Sequence, residues 1–371
     1  MDITHIILGK ANPERMNGVN KVVYELCSHQ AEVGNHVELW GITATVEENF
    51  PPRNFKTKLF QSNKFRFFLD KKIEQEIIHS SPQTIFHLHG VFLPELYSIS
   101  KLLKKYNRKF VFTAHGGYNV IAMQKSGFQK KIYISIFEKK LLQNAAFINC
   151  LGASEVDGTK SILPNANTYL LPYGFDIINF ANQPKDEKYF TISFCGRIDF
   201  YTKGLDAILD GFKLFLNEIP NAKLRLIGDG SDKEKVMQRI TNEFEEGIIE
   251  YCGSKYGDEK LKLIAECDVF IHPSRNEGLP TAVLEAASLG LPSLVTKATN
   301  IGEYITKHKA GIVIDKTDGQ QVFEGLMQLY KLYQTNNIEL QNNAKQMVLQ
   351  EFNWKHIEAE FEKMYTKALQ N

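Results

Sequence analysis

Nowhere in the 371 residues do about 20 apolar residues run together, which excludes a membrane-spanning helix. Cysteine is scarce. The five present (Cys27, Cys150, Cys195, Cys252 and Cys267) form no Cys-x-x-Cys pair and no zinc-ligand spacing. Three of them, Cys150, Cys195 and Cys252, fall within apolar runs, as reduced core thiols of an intracellular protein do. The opening Met1-Asp2-Ile3-Thr4 has no basic segment, and its apolar run is too short for an export signal. A cytoplasmic location is expected, free or peripheral on the inner face of the cell membrane. With 43% hydrophobic and 23% charged residues, composition points to neither disorder nor fibre.

Net charge is nearly absent too, at +1, but it is unevenly spread. Residues 1–190 carry 23 Lys/Arg against 17 Asp/Glu, whereas residues 191–371 carry 21 against 26. The basic excess concentrates in residues 56–140, with 16 basic and 5 acidic side chains. Such a stretch suits an anionic membrane surface or a polyanionic acceptor, and equally a plain solvated face. No nucleic-acid partner is expected.

What is present is a rhythm. Short apolar runs at 3–8, 37–42, 85–88, 110–113, 146–151 and 169–171 alternate with longer helical patterns. The second half repeats this at 190–195, 224–227, 248–252, 269–272, 293–295 and 311–314. Buried parallel strands with crossover helices have this pattern, so the fold class is α/β, with two doubly wound, Rossmann-like domains facing across a cleft. The expected divisions are an N-terminal domain over 1–175, a linker over 176–189 containing Pro184 and a mixed charge run, and a C-terminal domain over 190–353. Residues 354–371 read as an amphipathic helix, with Trp354, Ile357, Phe361, Met364 and Leu369 recurring near helical spacing.

Ligands of open α/β sheets bind outside the carboxyl ends of the strands, so chemistry is sought there. The first such loop carries neither a Gly-x-Gly-x-x-Gly fingerprint nor a P-loop, which disfavours a dehydrogenase. It leads through Asn17 to Gly18, which opens a helix whose free N–H groups suit a phosphate or serve as an ordinary cap. His115, followed by Gly116 and Gly117, ends another strand. His87 and His89 share one strand face and with His115 offer three metal ligands. No carboxylate completes the set, and no metal is expected. In the second half, Arg197 and Lys203 straddle a loop before a helix beginning near Gly204. Guanidinium fork and ammonium suit a diphosphate there, the alternative being two solvated cations. The turns at Gly228-Asp229-Gly230 and Ser254-Lys255-Tyr256 offer backbone groups to a flat base. In Glu277-Gly278-Leu279-Pro280-Thr281, Pro280 suits a first helical turn and Gly278 leaves the backbone free to approach a ligand. Glu285, inside an apolar helix, needs a partner: a ribose hydroxyl pair or an internal cation.

Taken together, these residues resemble the retaining glycosyltransferases of family four, which have the GT-B fold. Glu277 and Glu285 match the family's paired glutamates, Arg197 and Lys203 its Gly-Arg-x-x-x-x-x-Lys-Gly element, and His115 its N-terminal histidine. Asn17-Gly18-Val19 matches its Gly-Gly-Val loop with the first glycine replaced, and Leu279-Pro280-Thr281 replaces the commoner Phe-Gly-Leu segment. The likeness covers nearly the whole chain, its tail resembling the helix that crosses back to the N-terminal domain. It implies transfer of a hexose-type sugar from a nucleoside diphosphate sugar, UDP ahead of GDP, to a glycan or lipid-linked acceptor, with retention and without cofactor or metal. It assigns Arg197 and Lys203 to the pyrophosphate, Glu285 to the ribose, and Glu277 and His115 to the transferred sugar. A nucleotide-sugar epimerase, a sugar phosphorylase of the same plan and a non-catalytic nucleotide-sugar-binding homologue are the alternatives.

Overall fold

The computed structural model describes residues 1–12, 18–120, 123, 127–181 and 183–370, so Asn17 lies outside the described residues. The chain divides into two compact units, Met1–Gly174 with Trp354–Asn371, and Phe175–Asn353.

The first unit holds seven parallel strands: β1 (Asp2–Leu8), β2 (His36–Thr43), β3 (Lys56–Gln61), β4 (Ile85–His89), β5 (Phe110–Thr113), β6 (Phe147–Cys150) and β7 (Thr168–Leu170). Their order is β3-β2-β1-β4-β5-β6-β7, so the winding reverses between β1 and β4. Helices α1 (Gly18–Glu32), α2 (Lys71–His79), α3 (Pro94–Lys105), α4 (Phe128–Tyr133), α5 (Lys139–Asn144) and α6 (Ala153–Ile162) connect them, a π-helical turn (Ile134–Glu138) joining α4 to α5. β3 is a strand that the apolar runs do not announce. It is an edge strand on which only Phe60 is buried, and Lys56 and Lys58 blunt it against further pairing.

The second unit repeats the design with β8 (Phe190–Cys195), β9 (Ala222–Ile227), β10 (Ile249–Gly253), β11 (Val269–His272), β12 (Ser293–Thr296) and β13 (Gly311–Ile314), all parallel. Their order β10-β9-β8-β11-β12-β13 reverses between β8 and β11. The helices are α7 (Leu205–Glu218), α8 (Lys233–Glu243), α9 (Gly257–Ala265), α10 (Thr281–Ser288), α11 (Gly302–His308) and α12 (Gly319–Glu351). Apolar side chains fill both faces of each sheet, which is why the strands read as apolar runs rather than alternations.

The last helix, α13 (Trp354–Gln370), belongs to the first unit. Trp354, Ile357, Phe361, Met364, Tyr365 and Ala368 form its buried stripe and pack with Ile3, Ile85 and Val111 of the sheet. Gly174 makes room for it: a Cβ there would lie 2.2 Å from the Trp354 ring.

Candidate active site

In the second unit the topological reversal brings the ends of β8 and β11 side by side, and the loops they feed carry Arg197, Lys203 and Glu277. The turn after β9 supports the first of these loops. Gly228 adopts φ +140°, and a Cβ on it would sit 1.9 Å from the Gly196 carbonyl oxygen. At Gly230 a Cβ would lie 2.3 Å from the Ile198 carbonyl oxygen. These glycines are therefore needed to seat the turn against the strand end bearing Arg197. Asp199 shapes the loop itself, accepting from the Thr202 N–H at 2.8 Å and facing Arg197 Nη2 at 3.1 Å. Gly204, at φ +72°, turns the chain into α7, whose positive end has no side-chain cap among the described residues.

Arg275 ties the two loops together. Its backbone N–H donates to the Thr202 carbonyl at 2.9 Å, and its guanidinium grips both Asp206 oxygens at 2.7 and 2.8 Å. Further bonds reach the Tyr201 and Thr317 carbonyls. On the other side Asn300, held at φ +54°, donates to the Glu277 and Gly278 carbonyls at 3.0 and 2.9 Å. A non-glycine residue in that conformation, clamping a strand-end loop, marks a place where backbone comfort yields to geometry.

Within this frame Lys203 Nζ donates to Glu277 Oε1, and His272 Nε2 approaches the same oxygen at 2.9 Å. Burial alone would raise the Glu277 pKa. The His272 hydrogen bond and the Lys203 charge outweigh it and hold the carboxyl at about 2. Burial pushes His272 the other way, below its ordinary value, so it serves as a neutral donor, and its buried Nδ1 meets no hydrogen-bond partner among the described residues. Arg197 differs: its side chain is 65% exposed, a guanidinium fork open to solvent.

Glu285 lies just past the first turn of α10 and pairs with Lys260 of α9 at 2.7 Å. Of the two partners its apolar helix demanded, the structure supplies the cation. Pro280 precedes α10 at φ −76°, ψ 100°, rather than sitting in its first turn, because Thr281 begins the helix. That leaves the N–H groups of Thr281 and Ala282, the first two of α10, without intrahelical acceptors beside Gly278 and Leu279, since Val283 and Leu284 already donate to the Pro280 carbonyl. Ser254, Lys255 and Tyr256 follow the edge strand β10, two strands from β8, with Lys255 paired to Glu259. Gly18 and His115 belong to the first unit. Gly18 opens α1, and no described residue lies within 4 Å of where its Cβ would stand. His115 stands in the turn after β5 at φ +54°, its Nδ1 meeting the Tyr173 hydroxyl and its Nε2 lying 3.0 Å from His89 Nδ1.

His272, Arg275, Asn300 and Lys260 were not singled out from sequence. The first two stand within the stretch around Glu277 and carry a local signal, a His ending a strand and an Arg at a loop apex. Asn300 and Lys260 come from other elements and carry none.

Residues 176–347 match the family model described as glycosyl transferases group 1, and residues 16–177 match that of glycosyltransferase family 4. The chain belongs to glycosyltransferase family 4. Among curated relatives, the sulfoquinovosyl transferase of Arabidopsis thaliana is 29% identical over 156 residues, 41% of this chain and 29% of that protein. The GDP-mannose:cellobiosyl-diphosphopolyprenol alpha-mannosyltransferase of Xanthomonas oryzae pv. oryzae is 22% identical over 294 residues, 77% of this chain and 74% of that one. The match thus spans under a third of the plant protein's length. In fold the transferase resembles Anabaena HepE, solved with UDP, at TM-score 0.76 and 15% identity over 99% of this chain and 100% of that one. TarM superposes at TM-score 0.78 with 11% identity over 98% and 99%. The architecture is GT-B. No helix among the described residues is long and apolar enough to cross a membrane.

Proposed function

We propose that the transferase moves a hexose-type sugar from a nucleoside diphosphate sugar, UDP rather than GDP, to a glycan or lipid-linked acceptor in polysaccharide or glycolipid synthesis, with retention at the anomeric carbon. The single observation that carries this reading is the pair of cations at the β8 end, Arg197 open to solvent and Lys203 held by Glu277, beside the positive end of α7. As the bond from C1 to the β-phosphate oxygen breaks, negative charge grows on the departing diphosphate, and preset cations stabilise that charge without rearrangement. The acceptor oxygen bonds to C1 on the same face, and its proton leaves with the diphosphate. Two cations supply the charge for this step, so no metal is invoked. We assign Glu285, with Lys260, to the ribose, and His115 to the reacting sugar.

A thermal-shift screen of UDP, GDP and their sugars tests the donor: a ligand at about 100 times its Kd adds roughly 2.7 kcal/mol of stability. Stabilisation by neither diphosphate would refute the site. Product analysis with and without acceptor separates transfer from epimerisation.

We also assign a peripheral place at an anionic membrane. Phe65, Phe68 and Phe128 are exposed in the basic stretch, close in sequence to Lys64, Arg66, Lys71, Lys72, Lys130 and Lys131. The Phe67 and Phe137 rings meet at a tilt with centroids 4.8 Å apart, which joins the loop after β3 to the π-helical turn. Aromatic wedges with basic neighbours suit a headgroup interface. Equal sedimentation with neutral and anionic liposomes would overturn the assignment.

A further inference from the structure

Five polar side chains of the N-terminal unit form one unbroken hydrogen-bonded line that sugar transfer alone leaves unexplained. Gln30 Oε1 on α1 lies 2.7 Å from His5 Nε2 on β1. His5 Nδ1 lies 2.9 Å from His89 Nε2 on β4, and His89 Nδ1 lies 3.0 Å from His115 Nε2. His115 Nδ1 meets the Tyr173 hydroxyl. The strand register builds the line: His5 stands opposite His87 in the β1–β4 pairing, and His89 is on the same face two residues on.

With all three rings neutral, the line has one polarity. An amide oxygen accepts and never donates, so His5 carries its proton on Nε2. The Gln30 amide is oriented by its Nε2, which donates to the Tyr365 hydroxyl at 3.3 Å. In a neutral His5 ring, Nδ1 is then a lone pair and accepts from His89 Nε2–H. The same step repeats at His89 and at His115, whose Nδ1 accepts from the Tyr173 hydroxyl.

We propose that Gln30, His5 and His89 are positioning residues for His115, holding it as the neutral Nε2–H tautomer with Nδ1 as an acceptor. The role rests on the assignment of His115 to the reacting sugar. One added proton anywhere on the three rings reverses those beyond it, and His115 Nδ1 then becomes a donor to Tyr173. The line therefore has two states, one proton apart, in which the nitrogen facing Tyr173 changes sign.

Burial keeps the line in its neutral state, lowering His5 to about 4 and His115 to about 3. His87, Cys27 of α1, Glu358 and Tyr365 of α13, and Glu155 of α6 are the other titratable groups around it. Burial raises Glu155 to about 7 and Glu358 to about 8, so below those values neither supplies an anion that would favour an imidazolium. His5, His87 and His89 also bring ligand atoms within 4.8 Å of one another, a spacing a metal ion accepts. All six of their ring nitrogens are already matched, however, those of His87 by Tyr365 and Thr113 at 2.8 and 2.7 Å.

Nitrogen-15 NMR of the full chain labelled at histidine reads the tautomers directly. His5, His89 and His115 should each show a protonated Nε2 and a bare Nδ1, unchanged from pH 8 to pH 5.5. An Nδ1–H tautomer at His115, titration near 6.5, or zinc retained stoichiometrically on these rings after dialysis would overturn the proposal. Gln30→Glu keeps the acceptor but adds charge. It should move protonation of His115, and the acid limb of kcat/KM with it, up by about one pH unit, roughly tenfold in proton affinity. Gln30→Met removes the acceptor, and should give mixed tautomers at His115 and a lower kcat with donor KM within about twofold. A His115 spectrum indifferent to both variants, or lost activity with the tautomer intact, refutes the role. Because the spectra read the unliganded chain, a failed transferase reading leaves the tautomer result standing.

Discussion

Replacing Glu277 by Gln keeps the shape of the side chain and removes its charge. The wild-type carboxyl is pulled from an ordinary 4.5 to about 2, against the pull of burial, by His272 and Lys203. A depression of that size corresponds to roughly 3 kcal/mol of stability at neutral pH, an order-of-magnitude figure. The variant also leaves Lys203 half-buried beside an amide, and breaking such a pair by removing one partner costs about 3–5 kcal/mol in comparable cases. The sign is set by linkage. A folded-state pKa below the unfolded value contributes stability that is whole above 4.5 and disappears as pH falls through about 2. The gap between wild type and Glu277→Gln should therefore be flat from pH 8 to pH 5.5 and start to close only below 4.5. Hydrogen exchange in urea over β11 and α10 reads it. Both tryptophans, Trp40 and Trp354, lie in the other unit and serve as an internal control. A loss under about 1 kcal/mol would refute the reasoning. So would a gap that widens as pH falls from 7 to 6, since a charged His272 would then be carrying the pair.

Arg197→Ala should cut turnover by at least about 100-fold, while the exposed side chain leaves stability within about 0.5 kcal/mol; near-normal rates would remove Arg197 from the site. Gly228→Ala should destabilise the second unit by about 2 kcal/mol or more in urea unfolding, because its Cβ meets the Gly196 carbonyl and φ is +140°. A neutral outcome would mean the turn after β9 can shift freely. In the first unit, lowered His5 and His115 cost stability as pH falls below 6.5 toward 4 and 3. Glu155 and Glu358, raised to about 7 and about 8, cost it as pH rises from 4.5 through those values. Tryptophan fluorescence should therefore place the greatest urea resistance of this unit between about pH 4.5 and 6.5, and a monotonic rise to pH 8 would contradict the two carboxyls.

Twelve of the thirteen strands were legible as apolar runs because parallel strands are buried on both faces and so need apolar residues throughout. β3 escaped because an edge strand needs only one buried side chain, and its lysines look like any solvated surface. The terminal helix was legible from its stripe, since Trp354, Ile357, Phe361 and Met364 recur on one helical face. His87 and His89 were visible as a pair, but His5 was not. Its place beside them is set by the register of β1 on β4, which no local pattern encodes.

The sequence by itself determined which residue types stand at the strand ends: two cations on one loop, a carboxylate and a glycine on another, a histidine before two glycines. Backbone periodicity and turn chemistry are local, and local signals survive in a linear string. Only the tertiary structure decided who meets whom. It gave Lys203 to Glu277, Lys260 to Glu285 and Arg275 to Asp206, and it put three histidines from separate strands and loops in line behind Gln30. Pairings between residues tens of positions apart depend on strand order and register, and those are properties of the packed sheet rather than of any segment in it.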